Sequence, residues 1–157
     1  MKALQKLSIF SFSLVFAAIA IFTVISAKSE GQNGSVIVHV SGFGSDRGVA
    51  RFMLFNDESE YLKDKFNGLT AFKIGTASIK NTEANYVFRD IPYGEYAIKL
   101  FHDPDKTGLL PRNRLGGAKS EYGFSNNAKG RFGPPSFENA KFTLQNSEIY
   151  MNIDAIK

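Results

Sequence analysis

The sequence predicts an all-β fold: a single antiparallel β-sandwich of about seven strands with one long ordered loop. Three observations predict it. Apolar residues alternate with polar ones over several short runs, the period-2 pattern of a half-buried strand. Beyond the apolar N-terminal segment, no stretch sustains a helical period. Clusters of Gly, Pro, Asn and Asp separate the runs at hairpin-like spacing.

In SVIVHV, Val36, Val38 and Val40 share one face of a first strand, and His39 falls on the other, as a surface residue. SGFGSDRG is a turn. VARFMLF is a second strand with Ala50, Phe52 and Leu54 on one side, expected to pair with the first as a hairpin. In NDESEYLKDKFNGLTAF, Asn56 or Asp57 can cap one or two helical turns that bring Tyr61, Leu62, Lys65 and Phe66 to helical spacing. FKIGTASIK is a strand with Gly75 as a bulge or bend. YVFRDIPYGEYAIKLFHD is the strongest hairpin signal. Tyr86 and Phe88, then Tyr96, Ile98 and Leu100, alternate around a turn where Pro92 fixes φ and Gly94 permits reversal. AKFTLQ and EIYMNIDAI supply two last strands, joined at Gln145, Asn146 and Ser147.

The N-terminus sets the compartment. Lys2 and Lys6, an apolar run from Leu7 to Ile25 and a small-residue exit at Ser26-Ala27 follow the order of a secretory signal peptide. Cleavage there divides the chain into a signal segment, 1–27, and one domain, 28–157. An uncleaved anchor is the alternative, and is then the expected contact with a membrane. The chain has no cysteine. That excludes disulfides, thiol catalysis, cysteine-bound metal and a lipid-modified N-terminal cysteine.

Removing Lys2 and Lys6 lowers the formal charge from +4 to +2, but its distribution is uneven. Between residues 106 and 131, Lys106, Arg112, Arg114, Lys119, Lys129 and Arg131 stand against a single acid, Glu121. Such an island points to an anionic partner; a solvated loop is the competing reading. An exported chain does not meet nucleic acid, so an envelope polysaccharide, a phosphate-bearing lipid or a protein is the expected partner.

Residues 103–137 carry no strong period, yet too many aromatics for disorder. They are expected to form an ordered cover on one end of the sandwich, plugged into it by Phe124, Phe132 and Phe137. Asn126 and Asn127 either satisfy buried backbone groups or join a ligand-binding rim with Arg112, Arg114, Lys119, Tyr122, Lys129 and Arg131. In such a rim aromatics stack on sugar rings and cations hold an anionic group.

Catalytic readings centre on His102. With Ser125 and Asp103 it can be written as a triad, but adjacent strand residues point to opposite faces, so Asp103 does not easily support His102. No nucleophile elbow or phosphate loop is present. A non-enzymatic binding module is therefore the leading reading. A small hydrolase or metal-dependent enzyme centred on His102, or a partner-docking scaffold, is the alternative. In the leading reading His102 anchors the loop.

Pro92, Gly94, Tyr96, His102-Asp103, Gly123-Phe124-Ser125-Asn126-Asn127 and Gly133-Pro134-Pro135-Ser136-Phe137 together resemble the recurring pattern of the bacterial family catalogued as domain of unknown function 2141. The resemblance covers essentially all of 28–157. It implies a small exported protein of a Gram-negative bacterium, periplasmic or secreted, with no agreed activity. FRDIPYGEYAIKL is also similar to a stretch in prealbumin-like and carboxypeptidase-regulatory-like sandwiches, mostly binding or structural modules, and the fold expected is prealbumin- or immunoglobulin-like. Family members often read His-Asp-x-Asn-x-Asn-Gly-x-Leu-Asp, similar to a calcium loop. Here HDPDKTGLLPRN keeps oxygens at Asp103, Asp105 and Thr107, but Pro111 and Arg112 replace the distal acid and Arg114 stands at the twelfth position. Either these residues hold calcium or they form a turn closed by Asx hydrogen bonds; no other cofactor is expected.

Overall fold

In the computed structural model, which describes residues 32–157, eight strands form two packed sheets. The expected signal segment, 1–27, lies outside the described residues. β1 (Asn33–Ser41) is the middle of a three-stranded sheet, antiparallel to β4 (Ala84–Pro92) and parallel to β8 (Glu148–Asp154). In the second sheet, β3 (Lys73–Ala77), β2 (Val49–Phe55), β5 (Gly94–Asp103) and β6 (Tyr122–Phe124) lie in that order. β7 (Phe142–Leu144) pairs with the start of β5. The fold is the all-β sandwich that the alternation predicts, with one parallel pair in an otherwise antiparallel arrangement.

The period-2 pattern does the packing. Val36, Val38 and Val40 of β1, Phe52 and Leu54 of β2, Ile98 and Leu100 of β5, and Ile153 of β8 bury in one core between the sheets. Along β1 the alternate residues are half-exposed, but β5 is buried at every position from Tyr96 to Asp103. Its outer face, with Met53 and Phe55 of β2, meets a second core built from Tyr61, Phe66, Leu110, Phe124 and Phe137. Residues 32–157 thus hold both cores and every described strand, and this portion carries its own fold.

The two expected hairpins, β1 with β2 and β4 with β5, are corners. β1 and β2, β4 and β5, and β7 and β8 each lie in different sheets. Between β4 and β5, Pro92 lacks the N–H that a ladder would need beside the turn, and Asp90 takes φ of 55°. The bend is tied by the Tyr96 hydroxyl, which donates to the Pro92 carbonyl at 2.7 Å, and by the Tyr93 N–H, which donates to Gln32 at 2.9 Å. Between β1 and β2 the chain carries Phe43 into the core as it crosses.

The expected cap is present: the Asp57 carboxylate accepts from the Glu60 N–H at 3.0 Å and starts α1 (Glu58–Lys63). The loop after β5 is an ordered cover, but it lies over the outer face of the five-stranded sheet, not on an end. The reason is β6, which falls inside the loop and pairs with β5 through Lys99–Phe124 and Phe101–Tyr122. Phe124 and Phe137 plug as expected, Phe137 from α2 (Phe137–Ala140). Phe132 does not; it is 94% exposed at the apex of a tight turn.

Gly75 is neither a bulge nor a bend, since it pairs in register with Phe52. Its missing side chain makes room for Tyr86 of the facing sheet, whose ring also stacks on Phe52 with centroids 5.3 Å apart. A Cβ on Gly75 would lie 2.1 Å from a Tyr86 ring carbon. Gly75→Ala is expected to destabilise the domain by about 1–3 kcal/mol through overpacking, read by urea denaturation. An unchanged midpoint would remove the close approach as the reason for glycine.

Candidate functional site

The cover does not fill the space above the sheet. Between α1, the loop after β5 and the turn preceding α2 lies a cleft of about 420 Å³, lined by Tyr61, Asp64, Phe66, Lys99, Arg112 and Pro134 among others. A second hollow of about 200 Å³ adjoins it, sharing Phe66, Arg112 and Pro134 and adding Leu110, Gly116, Tyr122 and Gly133.

Lys99 is at the base of the first cleft, 1% exposed. Its face of β5 also carries Ala97 and Phe101, so the strand places an ammonium inside the second core. The Nζ donates to the Tyr61 carbonyl at 2.5 Å and to the Asp64 carbonyl at 3.0 Å. These belong to the end of α1, where the helix has no N–H groups left to offer its last carbonyls. The Tyr61 ring lies 4.2 Å from the ammonium, and Phe55 and Phe66 lie at 5.2 and 5.4 Å. Burial pulls the Lys99 pKa down to about 8, although Asp64, 4.0 Å away, favours the charged form. The Asp64 carboxylate itself accepts from the N–H groups of Phe66 and Gly68, each at 2.8 Å. Burial likewise pushes the Tyr61 phenol well above its usual range, and its hydroxyl has no hydrogen-bond partner among the described residues. Lys99 and Tyr61 were not among the site residues expected from sequence. The available signal was a lysine in a strand whose neighbours on both faces are apolar.

Of the expected rim, Arg112 and Tyr122 come together on the walls of the second hollow. The Tyr122 ring packs edge-on against Phe66, centroids 5.9 Å apart. Arg114 and Arg131 are exposed on two turns beside the second hollow. Lys119 lies elsewhere, with His102 and Glu121, and Lys129 lines a separate hollow of about 160 Å³ with Asn127. Among the described residues, none of Lys106, Arg112, Arg114, Lys119, Lys129 and Arg131 pairs with a carboxylate. Asn126 and Asn127 serve the backbone. Both take positive φ; the Asn126 amide donates to the Lys141 carbonyl at 2.7 Å, and the Asn127 carbonyl oxygen accepts from the Asp154 N–H at 2.8 Å.

His102, Ser125 and Asp103 are not brought together as a triad. His102 is buried, with Nδ1 2.8 Å from a Glu121 carboxylate oxygen and Nε2 2.6 Å from the Arg47 carbonyl. Burial would raise the Glu121 pKa, but the His102 contact and the backbone N–H groups of Glu121 and Gly44 outweigh it and lower it. The Ser125 hydroxyl donates to the Ala140 carbonyl at 2.5 Å and accepts from the Ile98 N–H at 2.9 Å. Ile98 is four residues from His102 along β5, roughly 13 Å at the rise of a strand.

The Asp103, Asp105 and Thr107 run does not fit calcium. One Asp103 oxygen accepts from the Thr107 N–H at 2.9 Å, and the other from the Gly108 N–H at 2.8 Å and Arg51 Nε at 2.5 Å. Burial would raise the Asp103 pKa, yet these donors hold it below its ordinary value. Asp105 pairs with Arg47 instead. The run is the Asx-closed turn that the sequence offered as its alternative, with each acid matched to an arginine.

The family described as "Uncharacterized protein conserved in bacteria (DUF2141)" matches residues 38–152, from within β1 to within β8, both sheets and the cover included. No curated protein and no solved structure matches the chain.

Lys99 gives a pH signature. In the folded chain it loses its proton near pH 8, and in the unfolded chain near 10.5. Between these values the unfolded state holds more protons, so stability rises with pH. Tyr61 and Tyr96, both raised by burial, act the other way above pH 10. Unfolding free energy is expected to climb by roughly 2 kcal/mol from pH 8 to 10, and Lys99→Met to flatten the climb. A wild-type stability that falls across this window contradicts the buried ammonium.

Proposed function

The chain belongs to the DUF2141 family of uncharacterised bacterial proteins, and on that premise we propose that it is an exported, non-enzymatic binding module for an anionic component of the cell envelope. The basic island carries this reading. Six cations lie in one segment with no carboxylate partner among the described residues, and Arg112 stands over a cleft whose base is a buried ammonium. Exposed charges in this arrangement attract a polyanion over about a Debye length, roughly 8–10 Å at ordinary ionic strength. In the adjoining hollow Phe66 and Tyr122 offer stacking surface to a sugar ring or an apolar group. The engagement of His102, Ser125 and Asp103 with backbone groups favours binding over catalysis. Export rests on the order of residues 1–27, basic, then apolar, then small.

Residues 28–157 are expected to co-sediment with an isolated envelope fraction at low salt and to be released at high salt. The Arg112→Glu, Arg114→Glu, Lys129→Glu, Arg131→Glu variant should lose this binding while keeping the wild-type melting temperature. Retention of binding by that variant sinks the proposal.

A further inference from the structure

Two tight turns flank the second hollow. In the first, the Asn113 N–H donates to the Gly117 carbonyl at 2.8 Å and the Gly116 N–H to the Asn113 carbonyl at 3.0 Å. The Asn113 side chain accepts from the N–H groups of Leu115 and Gly117, each at 2.9 Å, and Arg112 donates to the Gly116 carbonyl at 2.7 Å. The apex so held is Arg114-Leu115. In the second turn, Gly130 meets Gly133 so closely that a Cβ would lie 2.0 Å from the Gly133 oxygen. Its apex is Arg131-Phe132, the guanidinium 5.5 Å from the ring centroid. Leu115 is 96% and Phe132 94% exposed, the most exposed large apolar side chains among the described residues. Gly116 and Gly133 line one hollow, so the two apices flank it.

A single exposed apolar residue on a surface is ordinary. Two on tight turns, each beside an arginine, in a segment whose lone acid is bonded to His102, form a pattern with its own chemistry. The turns hold Leu115 and Phe132 away from the second core, which takes in the neighbouring Phe66, Phe124 and Phe137. A soluble polyanion would engage the arginines and leave Leu115 and Phe132 in water. A bilayer surface satisfies both halves of each pair: the apolar side chain enters the acyl boundary, while the guanidinium stays with the phosphates.

We propose that the Arg114-Leu115 and Arg131-Phe132 turns insert together into the headgroup–acyl boundary of a phospholipid bilayer bearing anionic headgroups. This rests on the binding role above and narrows its anionic component to a lipid surface. It also assigns to the folded domain a membrane contact that the sequence alone placed in the signal segment.

The test uses residues 28–157 and vesicles of phosphatidylcholine with and without phosphatidylglycerol, with dextran sulfate as a soluble polyanion. Wild type is expected to sediment with the phosphatidylglycerol vesicles in a salt-sensitive manner. Leu115→Ser with Phe132→Ser should weaken that binding by about tenfold or more and leave dextran sulfate binding unchanged. The chain has no tryptophan, so Phe132→Trp gives a lone reporter whose emission should shift to the blue on the vesicles. Vesicle binding that survives the double serine substitution, or an unshifted emission from bound protein, overturns insertion. Binding to dextran sulfate and the envelope fraction without binding to vesicles overturns the lipid surface and leaves the broader binding role standing. Failure to bind any anionic probe removes both.

Discussion

A strand buried on both faces must be covered twice, and from Tyr96 to Asp103 β5 is such a strand. The three-stranded sheet covers its inner face through Ile98 and Leu100; among the described residues the outer face has no second sheet to meet. The cover supplies the deficit, and groups along β5 fasten it segment by segment. Lys99 holds the end of α1, the Ile98 N–H holds Ser125 and through it α2, and His102 holds Glu121 and the Arg47 carbonyl. Asp103 closes the turn that leaves the strand. Each fastening is a polar group in a dry setting, where a lost partner leaves an unsatisfied atom that costs more than the bond contributes.

The same constraint accounts for the cleft. One short helix, a second of a single turn and irregular loops pack less evenly than a sheet would, and the residual space gathers beside Phe66, Arg112 and Pro134, which line both hollows. Acids in and around the cover are engaged inward or locally: Asp103 with Arg51, Glu121 with His102, Asp64 with two backbone N–H groups. The cations on its outer side are therefore uncompensated. A cover whose negative charge is used in holding it down presents positive charge to solvent.

Much of the strand content was legible, because Val36-Val38-Val40 and Tyr96-Ile98-Leu100 declare their faces by period alone. Pairing was not. Asp90 to Gly94 has the residue types of a reversal, and those types do not distinguish a hairpin from a corner between sheets. β6 was invisible, since three residues cannot show a period. Within the site, Arg112 and Tyr122 were legible from composition, whereas Lys99 looked like an ordinary outward lysine until the cover placed apolar residues over its face. Phe132 misled for the opposite reason: phenylalanine in a loop argues for burial, but the chain reverses tightly between Gly130 and Gly133 and leaves the ring exposed. The pairing of Asp103 with Arg51 joins residues 52 apart in sequence, beyond the reach of any local motif.

The parallel match of β1 with β8 bears on the order of assembly. Ser41 and Asp154, hydrogen-bonded at 3.2 Å, are 113 residues apart in sequence. A chain that emerges N-terminus first therefore exposes one edge of β1 until β8 has appeared. Until then the three-stranded sheet lacks a side, and a core that needs both sheets cannot close. Contacts this distant also slow the search for the native state. The three-stranded sheet is thus completed late, and until β8 arrives β1 offers an unpaired edge for intermolecular pairing.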